Sequence, residues 1–145
     1  MEIRKIDANA TYPIRQLVLR PGKSLDTCHF EGDFLDSTMH FGIFVANNIV
    51  GILSLFSANN SIFEEKFQMQ IRGMAILDNF QNKGYGALLV NQAEKMAGEN
   101  NCTLIWFNAR EKAVPFYKKL GYLTVGNMFE IATVGPHFVM YKKYN

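Results

Sequence analysis

The sequence predicts one α/β domain of the α+β type, residues 1–145, in which about six to seven strands form a sheet flanked by helices. Strand-like and helix-like segments follow the order β-α, three strands, then α-β-α-β-β. The chain is 48% apolar and 19% charged, and 145 residues suffice to bury one core. No repeat, linker or low-complexity tract divides it.

The predicted elements rest on periodicity and on turn residues. The predicted strands are residues 3–6, 39–46, 49–56, 67–77, 103–107, 122–125 and 136–141. The predicted helices are residues 10–19, 84–97 and 111–120. Asn47 and Asn48 tolerate positive φ, so they predict a two-residue hairpin turn. Arg20-Pro21-Gly22 ends the first helix, Pro115 must lie in the first turn of the third, and Gly121 caps it.

Charge and composition exclude several classes of protein. The net charge is +2 and the lysines form pairs rather than runs, so nucleic acid is not an expected partner. No apolar stretch reaches the roughly 20 residues that span a bilayer, and the first five residues are no signal peptide. Cys28 and Cys102 make neither a disulfide framework nor a metal site. We expect free thiols in a reducing cytoplasm.

The segment Gln81-Asn82-Lys83-Gly84-Tyr85-Gly86 lies between an apolar strand and an amphipathic helix. A glycine-rich turn there leaves helix N–H groups free, and the helix dipole favours a phosphate at the same place. Ala87 and Leu88 follow Gly86, where a Walker A loop needs Lys and Ser or Thr. Leu89 occupies the position where the dinucleotide fingerprint needs a small residue. A plain turn is the alternative interpretation.

Three motifs together resemble one family. Gln81-x-x-Gly84-x-Gly86 resembles the pyrophosphate-binding signature of the GCN5-related N-acetyltransferases (GNAT). Arg72-Gly73-Met74-Ala75-Ile76 looks like that family's fourth strand. Ala113-x-x-Phe116-Tyr117-x-Lys119-Leu120-Gly121-Tyr122 is similar to its "A..FY.KLGY" helix. The resemblance covers roughly the C-terminal half of the chain, and it implies a mixed, mostly antiparallel sheet that splays after the fourth strand.

In this family, acetyl-CoA is the co-substrate and sits in the V-shaped opening of the sheet. The residues that the resemblance places against it are Met74, Ala75 and Ile76 beside the pantetheine arm, Gln81, Asn82, Lys83, Gly84, Tyr85, Gly86 and Ala87 around the pyrophosphate, and Asn108 and Phe116 along the lower arm. Arg110 stands where many members carry an asparagine that contacts the cofactor. That contact is therefore in doubt, although an arginine would be able to reach a phosphate.

The catalytic candidates are Tyr117 and His137. Tyr117 matches the family's general acid, and a phenol of pKa ~10 stays protonated while a thiol of pKa ~8.5 leaves as thiolate. A packed aromatic with a satisfied hydroxyl is its structural interpretation. His137 and His40 suit a general base near neutral pH, yet each lone histidine is more often structural or a substrate contact. Glu111 and Glu130 are weaker candidates, more readily explained as surface charges, and a water chain could replace all four.

The resemblance implies transfer of acetyl to a primary amine by direct attack in a ternary complex. Arg15 and Arg20 on the first predicted helix border the acceptor side in this family and could bind an acidic acceptor, although solvated arginines are the simpler interpretation. A non-catalytic CoA-binding sensor or interaction module with the same fold is one alternative, and transfer of another acyl group is a second. The acceptor, a small molecule or a peptide, is not specified. The oligomeric state is also open, with a homodimer among the alternatives.

Overall fold

The computed structural model describes residues 1–144, and these residues form one seven-stranded sheet flanked by three α-helices. The strands are β1 Glu2–Ile6, β2 Met39–Val45, β3 Asn48–Ser57, β4 Gln68–Ile76, β5 Leu104–Arg110, β6 Leu123–Ile131 and β7 Gly135–Lys143. The helices are α1 Ala8–Ile14, α2 Tyr85–Glu99 and α3 Val114–Lys119. Within these residues, no helix has the length and apolar character that crossing a membrane requires.

The strands lie in the order β1-β2-β3-β4-β5-β7-β6. Every neighbouring pair is antiparallel except β4 and β5, which run parallel. A parallel pair needs a crossover, and α2 supplies it between these two strands. The predicted fold class, a mixed and mostly antiparallel sheet with flanking helices, is confirmed.

The sheet opens between β4 and β5. Their pairing is limited to Gln68–Gln70 opposite Leu104–Trp106. Beyond these residues the two strands have no mutual partners, while β5 continues to pair with β7 up to Arg110. The predicted splay after the fourth strand is therefore present, and it leaves one edge of β4 free of a neighbouring strand.

Helix α2 forms the larger part of the core. One face of the helix is fully buried and carries Leu89, Ala93 and Ala97, which are four residues apart. Val90, next to Leu89, is also fully buried. All four pack with Met69 and other buried side chains of the sheet in one cluster. Full burial of a side chain the size of leucine stabilises a protein by about 1.5–3 kcal/mol. The small alanines let the helix approach the sheet closely and hold its N-terminus at a fixed height above β4.

Strand β3 serves both faces of the sheet, as its period of two requires. Leu53 and Leu55 join the core under α2, whereas Ile52 packs with Ile14 of α1 and Ala75 of β4 on the other face. Helix α1 therefore lies on the face opposite α2, beside the opening between β4 and β5.

The predicted hairpin turn is wrong by one residue, and the first predicted helical segment ends at Leu19 as expected but changes type on the way. The hairpin turn consists of Ala46 and Asn47, with φ of 50° and 65°, because Asn48 already pairs with Val45. The first helix ends at Ile14 and continues as a wider π-turn, Arg15–Leu19, in which the N–H of Arg20 reaches the carbonyl of Arg15 at 3.0 Å.

The third helix and the last strands also differ from prediction in extent. Residues 111–113 form a 3₁₀ turn, and α3 begins at Val114 with Pro115 in its first turn, as Pro requires. Strands β6 and β7 are each nine residues long and extend well beyond the predicted segments. The two strands pair with each other over most of their length, so long-range pairing sets their ends.

Candidate active site

The opening between β4 and β5 holds a cleft of about 310 Å³. Residues 71–74 of β4 line one wall and residues 107–110 of β5 line the other. Val18 and Leu19 of the π-turn, Ala113, Tyr117 and His137 complete the lining. The splay of two strands thus brings the two predicted catalytic residues to one cavity.

A β-bulge at Gly73 shapes the wall made by β4. Ile52 faces Ala75 and Ser54 faces Arg72, so Leu53 alone stands opposite both Gly73 and Met74. Gly73 has φ of +66°, and a Cβ there would lie 2.9 Å from Phe30 Cε2. Only glycine meets both conditions without strain. Sequence reasoning missed this bulge, although an isolated glycine inside a strand pattern is its usual signal.

Arg15 supports this wall from behind, and the interpretation of it as a solvated arginine is wrong. Its side chain is fully buried, and its Nη1 and Nη2 donate to the two carboxylate oxygens of Asp33 at 2.8 and 3.0 Å. Nη2 also donates to Ser54 Oγ at 3.0 Å, and the guanidinium stacks on Phe30 with Cζ 3.9 Å from the ring centre. A bidentate ion pair of this kind is strong and fixes geometry.

Asp33 is correspondingly not an ordinary loop residue. Burial is the largest single influence on its pKa and acts to raise it, but hydrogen bonds from Arg15 and from the N–H of Phe30, with the charge of Arg15, outweigh burial and lower the pKa. The carboxylate therefore stays ionised, and it ties the loop before β2 to the first helical segment.

His40 belongs to the same buried network. Its Nε2 lies 2.9 Å from the carbonyl oxygen of Asp33, so this nitrogen must be the donor. Its Nδ1 then accepts from the hydroxyl of Ser54 at 2.6 Å. Both ring nitrogens are engaged, and His40 lines none of the space around the opening between β4 and β5. The structure thus favours its structural interpretation over that of a general base.

The glycine-rich loop reaches α2 through Gly84, whose φ of +85° favours glycine. The first N–H of this region with a helical acceptor is that of Leu88, which donates to the carbonyl of Gly84 at 3.2 Å, and no side chain caps the helix. The three preceding N–H groups therefore point out of the helix end, where the dipole is positive. This arrangement fits a phosphate group.

A second cleft, of about 520 Å³, joins this helix end to the first cleft, with which it shares Val18, Met74 and Ala113. The predicted cofactor-binding residues that line it are Met74, Ala75, Ile76, Gln81, Asn82, Gly84, Tyr85, Gly86 and Phe116. Lys83 and Ala87 do not line it, and Asn108 lines the first cleft instead. Phe80 also lines the second cleft and was not predicted, although it directly precedes Gln81 in the sequence.

The side chain of Gln81 braces the loop. Its Nε2 donates to the carbonyl of Ile76 at 3.0 Å and lies 3.3 Å from a carboxylate oxygen of Asp78. The amide thus ties the loop back to the end of β4. At Gly86, an added Cβ would lie 3.2 Å from Phe116 Cζ, so this glycine allows α3 to approach α2.

Tyr117 lines the first cleft with 7% of its surface exposed. Its ring contacts Phe107 and Phe116, with centroid distances of 4.3 and 5.0 Å. In residues 1–144 the hydroxyl has one weak partner, Met74 Sδ at 4.0 Å. Burial raises the pKa of Tyr117 well above its ordinary value. The hydroxyl is therefore a protonated donor with no strong acceptor of its own.

His137 of β7 lines the same cleft and is almost fully buried. Its Nδ1 lies 2.8 Å from the carbonyl oxygen of Gly135. A carbonyl only accepts, so in the neutral ring Nδ1 carries the hydrogen and Nε2 keeps its lone pair. Glu111 and Glu130, the other predicted candidates, are exposed and line none of these clefts.

Beyond His137 the space continues as a pocket of about 200 Å³ and then an outer pocket of about 510 Å³. Arg72, Arg110 and Asn108 line the inner pocket, and Arg20 lines both. Arg110 does not line the cleft beside the glycine-rich loop, so the structure does not support the interpretation in which it reaches a phosphate there.

The sequence of this chain is similar to those of known acetyltransferases. The model of the acetyltransferase (GNAT) family matches residues 8–122. An uncharacterised N-acetyltransferase of Bacillus subtilis strain 168, YitI, is 32% identical over 142 residues, which cover 98% of this chain and 95% of YitI. The chain belongs to the GNAT acetyltransferase family, and it is an acetyltransferase.

Solved structures agree with the fold. An aminoglycoside 6'-N-acetyltransferase complexed with coenzyme A superposes with a TM-score of 0.77 at 16% identity, covering 99% of this chain and 97% of the other. Escherichia coli ElaA superposes with a TM-score of 0.81 at 13% identity, covering 99% and 100%. At these identities the likeness concerns the fold alone.

Proposed function

We propose that this protein transfers an acetyl group from acetyl-CoA to a primary amine by direct attack in a ternary complex. The observation that carries the proposal is one continuous cleft, with a free helix N-terminus at one end and Tyr117 and His137 at the other. An acceptor pocket opens beyond it. The three parts match a phosphate-bearing donor, a reaction centre and an acceptor.

The free edge of β4 is suited to an amide-containing chain. Past Gln70 this edge has no neighbouring strand, so those main-chain groups of Met74–Ile76 that point away from β3 are available to the amides of a pantetheine arm, apart from the Ile76 carbonyl that Gln81 holds. The N-terminus of α2 would then hold the pyrophosphate. The residues present therefore fit CoA, and the thioester would lie near Tyr117.

Tyr117 would protonate the departing thiolate. Its raised pKa keeps the hydroxyl protonated at any pH at which the enzyme works, and its only partner in the described residues is a weak sulfur acceptor. The hydroxyl is thus free to strengthen a hydrogen bond as charge develops on sulfur.

His137 would accept a proton from the amine, directly or through water, at the Nε2 lone pair that the Gly135 contact leaves available. A covalent enzyme intermediate is not part of the proposal, because Cys28 and Cys102 are buried and neither lines the cleft. Burial also raises the pKa of Cys102, which disfavours its thiolate. Both unpaired thiols suit the reducing cytoplasm, where we place the enzyme.

Two measurements test the proposal. Thermal shifts with CoA, acetyl-CoA, ATP and NADH should show stabilisation by the first two and little by the others, because the loop lacks the Walker and dinucleotide residues. Release of CoA thiol from acetyl-CoA should then depend on an added amine. Binding of CoA without thiol release across a broad amine library would replace the proposal with a non-catalytic CoA sensor. Equal stabilisation by ATP would contradict the cofactor assignment.

A further inference from the structure

Resting on the proposed function, we infer that the acceptor is a small primary amine that carries an anionic group, a carboxylate or a phosphate. The structure assigns the recognition of that group to Arg72 and Arg110 in the inner pocket, with Arg20 at its rim. The amine end of such an acceptor would face His137, which lines both this pocket and the reaction cleft.

The positive charge is concentrated on the acceptor side. Arg20, Arg72 and Arg110 line the inner pocket, and Lys23 lines the outer one. None of the described residues that line either pocket, or the reaction cleft, is an aspartate or a glutamate. The whole chain carries a net charge of only +2, so this local excess does not merely reflect a basic protein.

Within the described residues, the guanidinium groups that line this pocket have no carboxylate partner. In the part of the chain that the structure describes, none of Arg20, Arg72 or Arg110 forms a salt bridge. Asp33, the buried carboxylate nearest to this region, is already held by both terminal nitrogens of Arg15. An anionic acceptor would supply the missing counter-charge.

Arg72 is the best-placed of the three. It lies on the splayed part of β4, beside Gly73, and lines both the reaction cleft and the inner pocket. Its guanidinium Cζ lies 4.5 Å from the ring centre of Phe30 and 5.4 Å from that of Phe56. Stacking on flat rings orients the planar fork and leaves its edge free for a bidentate contact.

The pKa of Arg72 agrees with this geometry. Burial is the main cause that lowers the pKa of Arg72; the positive charges of Arg15 and Arg20 lower it further, whereas the carboxylates of Asp33 and Glu31 raise it. A guanidinium stays protonated under such conditions. The lowering of the pKa therefore mainly reflects a guanidinium that has lost part of its hydration, and an anion bound beside it would restore favourable interactions to its charged form.

The volume of the inner pocket limits the size of the ligand. At about 200 Å³ it suits an amino acid or a phosphorylated amino alcohol better than a peptide. The outer pocket, lined by Pro21, Thr27 and residues 131–134, offers room for a side chain of varied character. A polyamine or an aminoglycoside, which presents several cations, would meet like charges here and should be a poor acceptor.

The test uses matched acceptors and the intact protein. Thiol release is measured with α-amino acids against their carboxamides, with O-phosphoethanolamine against ethanolamine, and with spermidine. We expect kcat/KM for an anionic member to exceed that of its neutral partner by roughly 10- to 100-fold, the range for a charged hydrogen-bonded contact. The α-amine of an amino-acid carboxamide is less basic than that of the free amino acid, so a larger fraction of it is neutral and able to attack. This difference favours the carboxamide and therefore works against the expected result.

Two variants locate the effect. Arg72→Gln and the more exposed Arg110→Gln should each reduce the ratio of kcat/KM for the anionic acceptor to kcat/KM for its neutral partner, whatever their effect on the rate with the neutral acceptor. Arg4→Gln, on β1 and outside these pockets, is the matched control and should keep the full preference. The inference is overturned if neutral or cationic acceptors are preferred, or if the preference survives both variants.

Failure of the inference can be separated from failure of the proposed function. Calorimetry with an N-acetyl amino acid and its amide, in the presence of CoA, detects an anion site without turnover. Anion-dependent binding that Arg72→Gln removes would support the pocket even if no amine released thiol, and would then overturn only the proposed reaction. Turnover with no dependence on charge would overturn only the inference.

Discussion

At the residue scale, the central feature is the contrast between two tyrosines that lie close together in one aromatic cluster. Tyr117 and Tyr122 have ring centroids 6.2 Å apart, and both pack against Phe107. The hydroxyl of Tyr122 donates to Glu94 at 2.9 Å, whereas that of Tyr117 has only a weak sulfur partner within the described residues. One hydroxyl is engaged in the fold and the other remains available to a ligand.

Tyr117→Phe should lower kcat by roughly 10²-fold with little change in the KM for acetyl-CoA, because the lost contact strengthens only in the transition state. Its melting temperature should hardly change, since no strong hydrogen bond is lost. Tyr122→Phe is the matched control. It removes a hydrogen bond to Glu94, so it should lower stability by about 1–2 kcal/mol and leave kcat intact. Full kcat in Tyr117→Phe under chemistry-limited conditions would remove this residue from the mechanism.

The pH profile gives a second check on Tyr117. Because burial raises the pKa of Tyr117, its phenol should stay protonated as the pH rises through about 10, the pKa of an ordinary tyrosine. We therefore expect that ionisation of Tyr117 causes no fall in wild-type kcat below about pH 10. A descending limb near pH 9 that disappears in the variant would contradict the raised pKa.

Gly84 tests the phosphate site with an isosteric pair. An added side chain meets no atom within 4 Å, so the fold should accept Gly84→Asp and Gly84→Asn alike, at a modest cost for the positive φ. Only the aspartate places a negative charge at the helix N-terminus. Calorimetry should show that affinity for acetyl-CoA falls at least tenfold further in the aspartate variant than in the asparagine variant. Equal affinities would argue against a pyrophosphate at this loop.

At the element scale, the nine residues of β4 form two parts with different roles. Its first residues hold β5, and the remainder forms a free edge with a bulge at Gly73. The bulge re-aims the strand at the point where the two strands part, and Phe30 and Arg15 pack directly beneath it. The shape of the cleft thus depends on one backbone position in this strand.

Gly73→Ala should lower the free energy of unfolding by about 1–3 kcal/mol, because the methyl group would lie 2.9 Å from Phe30 and the φ of +66° strains any L-residue. Urea denaturation measures the change. Gly98→Ala is the control, because Gly98 lies in α2 with open space around it, where alanine should add roughly 0.5–1 kcal/mol. A neutral effect at Gly73 would mean that the bulge is not strictly set by glycine.

At the scale of the whole molecule, the buried pair Arg15–Asp33 joins three parts of the chain. Arg15 follows α1, Asp33 lies in the loop before β2, and Ser54 in β3 completes the contact. Arg15 also lies behind the wall at Gly73, where an added Cβ would come 3.2 Å from its Nε. We therefore regard the pair as the structural link between the N-terminal half of the chain and the proposed acceptor pocket.

Asp33→Asn should cost about 3–5 kcal/mol at neutral pH, because it leaves the charge of Arg15 buried without a partner. The pKa of Asp33 is lower in the folded protein than in the unfolded chain, where it is about 3.9. Its contribution to stability is therefore fully present above that unfolded pKa and is lost as the pH falls through the folded pKa. Urea denaturation should therefore show the gap between wild type and variant narrowing below about pH 4. Asp36→Asn, an exposed carboxylate in the same loop, should have no measurable effect, and an equal loss there would contradict the assignment.

The sequence by itself determined what depends on local pattern. The order of elements, α2 with its buried stripe, the glycine-rich turn before it and the motif around Tyr117 were all predictable, because helical periodicity, turn chemistry and motif spacing are local properties. The hairpin turn was misplaced by one residue, and the change from α-helix to π-turn at Arg15 was not predicted, because local propensity does not fix such details.

Tertiary structure alone decided which distant residues meet. Nothing in the spacing of Arg15, Asp33 and His40 shows that they form one buried network, because arginine and aspartate are usually solvated unless the fold pairs them. Likewise, Arg20, Arg72 and Arg110 come from a π-turn boundary and two diverging strands, and only the splay of β4 from β5 brings them around one pocket. The residues of the proposed donor site are therefore close together in the sequence, whereas those of the proposed acceptor site come together only where the sheet opens.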